Sequence, residues 1–394
     1  MPFAVAESPS PSGADPIAPF RDVFRDRMAR ARAWTSSGRQ VVGYACDNVP
    51  GELVEAAGLL PNRLIGDPTT PRPFVDRYIA PNRDVVSSAP AFVDALFEGV
   101  LSGACDVLDY LVIPHTRKSV EVFYGKLTAA GAAHDELALP ELAHLDKSHL
   151  PFFASNVFNR NSLAALRSQL EAWTDAPISA SALAAAIEDA NEGRLLLAQV
   201  NALRVARRPR LAGAEALLVY AAAGAMPRSE HNALLRDLLA RADELPHRSG
   251  PRVLLAGSPV DHPGVYDMIE SSGATVVAED HCWGGRCAGP MVAVDVDPFD
   301  ALAAWYHEKS ACSIEFPLAD ALTRWHARAR AAHIDGAVFR VLTGDELHMW
   351  EVPDQMALLA DDGIPSLHLS LRAYDGDLEP DRQAVAEWLE QLRP

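Results

Sequence analysis

The sequence predicts an α/β fold: two open, mostly parallel three-layer units joined by a helical segment, with a site in the cleft between them. Three observations lead there. Short apolar runs alternate with helical patterns through the first 158 residues, the signature of a parallel sheet with helices on its faces. From about residue 159 to 247 every pattern is helical, with apolar residues recurring at a period of about 3.6. After residue 248 the strand-like runs return. The expected divisions are a disordered tail over 1–17, an N-terminal α/β unit over 18–158, a helical linking segment over 159–247 and a C-terminal α/β unit over 248–394.

The elements follow in order. Asp15 to Gly38 reads as helix, with Phe20, Val23, Phe24 and Met28 on one face and basic residues on the other. RQVVGYAC is a short strand ending at Cys46. Pro50 and Gly51 open a helix, GELVEAAGLL. NRLIGDPTTPRP, rich in proline and glycine, reads as loop. APAFVDALFEGVLSG is a helix, DYLVIPH a buried strand, SVEVFYGKLTAAG a helix and ELALPEL a further strand candidate. Four helical stretches follow: SLAALRSQLEAWT, SASALAAAIEDANEGRLLLAQVNALRVA, GAEALLVYAAAG and RSEHNALLRDLLARADEL. The second unit offers the strands PRVLLAGSPV, ATVVAED, GAVFRVLTG and PSLHLSLRAY, separated by helices and closed by the helix PDRQAVAEWLEQL. Two α/β units around a helical middle suggest duplicated architecture.

Composition excludes several classes. The chain has 394 residues, 49% of them apolar and 22% charged, the proportions of an ordinary globular protein rather than a disordered one. A net charge of −18 disfavours non-specific binding to nucleic acid or to an anionic membrane surface. No apolar run reaches the roughly 18 residues of a membrane span, and the start MPFAVAESPSPSGADP lacks the basic and apolar regions of a signal peptide. Five cysteines are too few for a disulfide scaffold, which points to a reducing cytoplasm.

Ligands in open α/β sheets bind beyond the carboxyl ends of the strands. Those ends carry Cys46, Asp47 and Glu52, then His115, Thr116 and Arg117, in the first unit. In the second they carry Ser258 and Asp261, Glu279 to Cys282, Thr343 to Asp345, and Arg372 to Asp375. GxGxxG, Walker A, GxSxG and HExxH patterns do not occur. Cys46 and Cys282 end strands in opposite halves, and Cys282 and Cys287 have C-x4-C spacing. They read either as thiolate ligands of an iron–sulfur cluster or zinc, or as small half-buried residues. Cys105 reads as core packing and Cys312 as a loop residue. Glu52, in the first turn of a helix, complements the helix dipole or works as a general acid/base over the cleft. His115 caps or packs, or contacts a substrate carbonyl. Arg117 and Arg286 form surface pairs or clamp an anionic ligand.

The run GYACDNVPGELVEAAGLLPNRL resembles the opening signature of the benzoyl-CoA reductase/2-hydroxyglutaryl-CoA dehydratase family. The resemblance continues through DYLVIPHTRKSVE, SASALAAAIEDANEGRLLLAQV, LLAGSPVDHPGVYDMIESSGATVVAEDHCWGGR and IDGAVFRVLTGDELHMWEVPDQMALLADDGIPSLHLSL, nearly the whole chain after residue 18. It implies a two-domain subunit paired with a homologous second subunit and a [4Fe-4S] cluster in the cleft. It also implies an ATP-hydrolysing activator that donates an electron, and an acyl-CoA substrate that is dehydrated or reduced. It places Glu52 at the Pro-x-Glu carboxylate near the substrate.

The usual cluster cysteines are replaced. NRDVVSSAP has none, Arg117 within HTRKS stands at the second position, and Gly344 within LTGD at the third. Three explanations follow. A [4Fe-4S] cluster is held differently, by Cys46, Cys282 and Cys287; the chain is a cluster-free partner of a cluster-bearing homologue, with Arg117 where iron would be; or the scaffold serves other chemistry, with Glu52, His115 and His281 as acid/base groups. The leading expectation is an iron–sulfur subunit in which those three cysteines hold the cluster, Glu52 and His115 are catalytic, and Arg117 and Arg286 bind substrate.

Overall fold

The computed structural model describes residues 15–78, 90–309 and 316–392. Cys312, the terminal tail up to residue 14 and most of NRDVVSSAP lie outside the described residues. In the N-terminal half the strands are β1 (Val41–Tyr44), β2 (Leu60–Arg63), β3 (Tyr110–Pro114) and β4 (Glu141–Leu145). They form one parallel sheet in the order β2-β1-β3-β4. The C-terminal strands are β5 (Arg252–Gly257), β6 (Thr275–Glu279), β7 (Gly336–Leu342) and β8 (Ser366–Arg372). They form a second parallel sheet, β6-β5-β7-β8. Each sheet runs second, first, third, fourth, so the two halves share one topology.

That order places a switch point between the first and third strand of each sheet, where successive connections leave in opposite directions and open a crevice at the strand ends. The central strands are buried along their whole length: Tyr110–Pro114 and Gly336–Leu342 have no exposed residue, as strands covered on both faces must be.

The helices of the first half are α1 (Ala18–Arg25), α2 (Ala29–Ser36), α3 (Gly51–Ala56), α4 (Pro73–Tyr78), α5 (Ala91–Leu101) and α6 (Lys118–Ala133). The single helix expected over Asp15–Gly38 is broken at Asp26–Met28. There Arg27 turns inward and donates to the carbonyls of Ala221 at 2.9 Å, Arg63 at 3.1 Å and Gly224 at 3.3 Å. The loop expected around Asn62 begins instead with β2, an edge strand that tolerates Pro61 because its outer side needs no partner. The last strand starts at Glu141, later than ELALPEL suggests, after Pro140.

Between the sheets run α7 (Phe153–Thr174), α8 (Ala180–Val205), α9 (Gly213–Ala222) and α10 (Arg228–Ala240). The Ser179 hydroxyl caps α8 by accepting from the Ala182 amide at 3.1 Å. The rest are α11 (Gly264–Ser271), α12 (Pro298–Glu308), α13 (Leu318–Ala331), α14 (Glu346–Asp361) and α15 (Glu379–Gln391). One apolar core joins α1, α8, α9 and α11 to the second sheet. Another joins the first sheet to α7, α8 and α12, so α8 is common to both. Among the described residues no helix is long and apolar enough to cross a membrane.

Candidate functional site

The turn after β1 carries Cys46, Asp47 and, at the start of α3, Glu52. Glu52 points into the protein and is 5% exposed. Arg194 from α8 pairs with one of its oxygens, and the Tyr306 hydroxyl of α12 donates to the other at 3.0 Å. Burial alone would raise the pKa of Glu52; Arg194 and the backbone hydrogen bonds of its own turn hold it below the ordinary value. Glu52 is therefore a carboxylate at neutral pH, held ionised by its pair with Arg194. Tyr306 is shifted the other way, well above the ordinary phenol, by burial and the adjacent Glu52 charge.

These groups line a cavity of about 100 Å³ with Asp47, Arg63, Arg228, Arg286 and Lys309. Lys309 lies 3.1 Å from the Asp47 carboxylate. Burial pushes the Asp47 pKa up, but Lys309 and Arg63 bring it below the ordinary value. Arg286 is anchored to Asp280, with Nε and Nη2 each 2.9 Å from a carboxylate oxygen. Of the residues singled out from the sequence, Asp47, Glu52, Arg286 and Cys287 meet here. His115 does not: it is half-buried at the surface, with Nδ1 2.8 Å from Asp146. His281 is buried between the Tyr266 hydroxyl, 2.9 Å from Nε2, and the Trp283 amide. Burial pushes its pKa down to about 4, so it is a neutral core histidine.

Arg117 lies at the start of α6, and its guanidinium crosses to the C-terminal half. It pairs with Asp345, which follows β7, and lies 3.3 Å from His348 Nδ1. Asp345 also accepts from Ser258 Oγ at 2.6 Å and faces His348 Nδ1 at 2.8 Å. Both partners are buried. The two positions to which the resemblance assigns cluster cysteines, Arg117 and Gly344, are thus joined by a buried ion pair between Arg117 and the residue next to Gly344.

The three expected thiolate ligands are not gathered. Among the described residues no three His, Cys, Asp or Glu side chains form a metal-holding group. Arg63 occupies the neighbourhood instead. Its Nη2 donates to Cys282 Sγ at 3.0 Å and its Nη1 to the Cys282 carbonyl at 2.8 Å, while the guanidinium stacks 3.7 Å over the Trp283 ring. Burial opposes the Arg63 charge, yet Cys282, Asp47 and Cys46 raise its pKa further. Cys46 Sγ donates to Asp47 at 3.4 Å, and Cys287 Sγ faces the Cys282 carbonyl at 3.8 Å. Burial raises the Cys287 pKa. A guanidinium that donates to Cys282 Sγ, in the place a metal would take, does not fit a [4Fe-4S] cluster on Cys46, Cys282 and Cys287.

Sequence reasoning missed Arg63, Arg194, Tyr306 and Lys309 as site residues, and it named Asp345 without a partner. Only Asp345 sits on a strand end flagged by the switch-point rule. The others come from the edge strand β2 or from helices whose facing depends on packing.

Comparison with known proteins accords with this architecture. A benzoyl-CoA reductase component from Thauera aromatica is 25% identical over 399 aligned positions, covering 97% of this chain and 99% of that protein. The family described as 2-hydroxyglutaryl-CoA dehydratase, D-component, matches residues 46–392. The chain belongs to the 2-hydroxyglutaryl-CoA dehydratase D-component family.

Proposed function

We propose that this chain is a cluster-free component of a dehydratase- or reductase-type complex, receiving the acyl end of a CoA thioester in the central cavity and pairing with a homologous, cluster-bearing subunit in the cytoplasm. The observation that carries the reading is the Arg117–Asp345 pair. Where the resemblance calls for two thiolate ligands, this chain has a complementary charge pair that closes the same gap. The loss of the cysteines is thus accompanied by a compensating interaction. Arg63 among the remaining sulfurs supports the same reading.

The cavity suits one end of a ligand. At about 100 Å³ it admits a small acyl group and not a nucleotide. Arg228, Arg286 and Lys309 on its wall favour electron-rich oxygen. Glu52, oriented by Arg194 and Tyr306, and Asp47, paired with Lys309, supply fixed carboxylate charge in the same cavity. Electron transfer, and the ATP-hydrolysing activator that the resemblance implies, belong on this reading to the cluster-bearing homologue.

The test is iron and acid-labile sulfide on full-length protein purified without oxygen, with its visible absorption spectrum. The expected result is no iron above background. About four iron and four sulfide per chain, removed by Cys46→Ala or Cys282→Ala with the fold intact, would overturn the proposal and restore the cluster reading.

A further inference from the structure

The chain carries its positive charge on arginine almost throughout, with 31 arginines against four lysines, Lys118, Lys126, Lys147 and Lys309. Two of those four sit against each other. The Lys147 amine, in the loop after β4, donates to the Lys309 backbone carbonyl at 3.2 Å and to Asn48 Oδ1 at 2.9 Å. Lys147 is 8% exposed. It lines a cavity of about 710 Å³ that is separate from the central one and, among the described residues, shares only Lys309 with it. Arginine stays charged wherever it is put, whereas a buried lysine can discharge and become a nucleophile. The choice of lysine here, in a chain that otherwise prefers arginine, therefore bears on chemistry.

The geometry suits a neutral amine. Such an amine has two N–H bonds and one lone pair. The two acceptors on Asn48 and Lys309 take both N–H bonds of a neutral amine, which leaves its lone pair uncommitted in a residue that lines the cavity. Burial and the neighbouring Lys309 ammonium, opposed by Asp47 and Cys46, bring the Lys147 pKa down to about 7. The other titratable groups facing it are His149, brought to about 4 by burial and Lys147, and His307, lowered by burial and Lys147. A lysine desolvated beside a second cation is a recurring way of making an amine nucleophilic. The cavity wall carries Lys309, Arg324 and Arg328 against Glu308 and Asp320, an excess of one cation among the lining side chains, with Lys309 also paired to Asp47 and Arg328 to Asp280. Phe152 and Phe316, 6.3 Å apart edge to face, supply an apolar rim.

We infer that Lys147 is a nucleophilic lysine that forms a reversible imine with an anionic aldehyde or ketone admitted to this cavity. The amine nitrogen attacks the carbonyl carbon, a C=N bond replaces C=O, and the oxygen leaves as water. No oxidant or reductant is needed. The inference stands apart from the thioester reading, since it concerns a different cavity and a different bond.

The test uses full-length protein, pyridoxal 5′-phosphate as the anionic aldehyde probe, borohydride to fix the imine, and peptide mass spectrometry to locate it. At about pH 7.5 an amine of pKa near 7 is mostly free base, whereas an ordinary lysine, near 10.4, is so in roughly one molecule in a thousand. Lys147 is therefore expected to carry the adduct at least about tenfold over the exposed Lys118, with labelling that rises through about pH 7. Pyridoxal without the phosphate is expected to label it several-fold less. Lys147→Arg, checked by circular dichroism, is expected to remove the adduct. A label on Lys118 or the amino terminus equal to or above that on Lys147 overturns the inference, and so does equal labelling by the two aldehydes.

Discussion

Replacing Arg117 by methionine tests whether a charge pair holds the two halves together where the resemblance places a metal cluster. Arg117 and Asp345 have side chains only 9% and 1% exposed, so the variant leaves a carboxylate buried without its cation. Breaking a buried pair from one side costs roughly 3–5 kcal/mol. Asp345 keeps Ser258 and His348 as partners, so the lower end applies: about 3 kcal/mol, or roughly 150-fold in the folding equilibrium. Removing both charges, in Arg117→Met/Asp345→Leu, should recover part of this, with a coupling energy of at least ~1.5 kcal/mol. Urea unfolding at neutral pH gives the energies, and hydrogen exchange at the starts of α6 and α14 reports the local loss. The sign of the pH dependence follows from Asp345. Burial would raise its pKa, but the His348 hydrogen bond, Arg117 and Ser258 hold it far below the ordinary carboxylate value. A depressed folded pKa gives stability that is fully present above about pH 4 and lost as the pH falls toward the folded value. The gap between wild type and Arg117→Met should therefore narrow below about pH 4. A single-variant cost under about 1 kcal/mol, or a cycle additive within about 0.5 kcal/mol, would refute the clasp.

Two further expectations concern the strand ends. Glu52→Gln strands the Arg194 guanidinium, so it should lower stability by about 3 kcal/mol. Because Arg194 keeps the wild-type Glu52 ionised, acyl-thioester affinity measured by calorimetry should show no Glu52 titration between about pH 5 and 8; an inflection there that Glu52→Gln abolishes would contradict its assignment as a fixed carboxylate. Gly257, at the end of β5, has φ +100°, and a Cβ there would strike the Arg340 carbonyl. Gly257→Ala should therefore cost about 2 kcal/mol or more and disturb Ser258; an unchanged melting temperature would show that the turn tolerates a side chain.

The sheets were legible where strands are continuous apolar runs: VVGY, YLVIP, RVLLAG and GAVFRVL declare themselves by composition alone. β2 does not. Its residues are Leu60, Pro61, Asn62 and Arg63, and the last two are buried because their partners come from far along the chain: Asn62 donates to Arg27, and Arg63 to Cys282. No local pattern carries that information. α12 did have a readable start, with the Asp297 carboxylate accepting from the Phe299 and Asp300 amides before Pro298 opens the helix. For the site, the strand-end rule found Glu52, Arg117 and Asp345. It could not pair them, because pairing depends on how two sheets of the same topology face each other. His115 also satisfied the rule, yet it turns toward Asp146 and solvent, as a residue beside the edge strand β4 can.

The cleft is organised by permanent cations. Arg194 meets Glu52, Arg117 meets Asp345, Arg63 meets Cys282, and the fully buried Arg204 of α8 meets Glu279 at the end of β6. A lysine or histidine in these places could give up its proton to escape desolvation, as Lys147 and His281 show by their lowered pKa values. Arginine cannot, so each buried carboxylate must stay ionised opposite it. That rigidity has a chemical consequence for the sulfurs. A cluster site needs thiolates that face a metal, and the guanidinium of Arg63 already satisfies Cys282 as a hydrogen-bond donor and counter-charge. For Cys282 to bind iron, Arg63 would have to leave both its sulfur and carbonyl contacts and its stacking on Trp283, in a cavity with little room to receive it. On the proposed reading, the arginine that lies between the halves is the physical reason why the remaining cysteines do not take over from the missing ones.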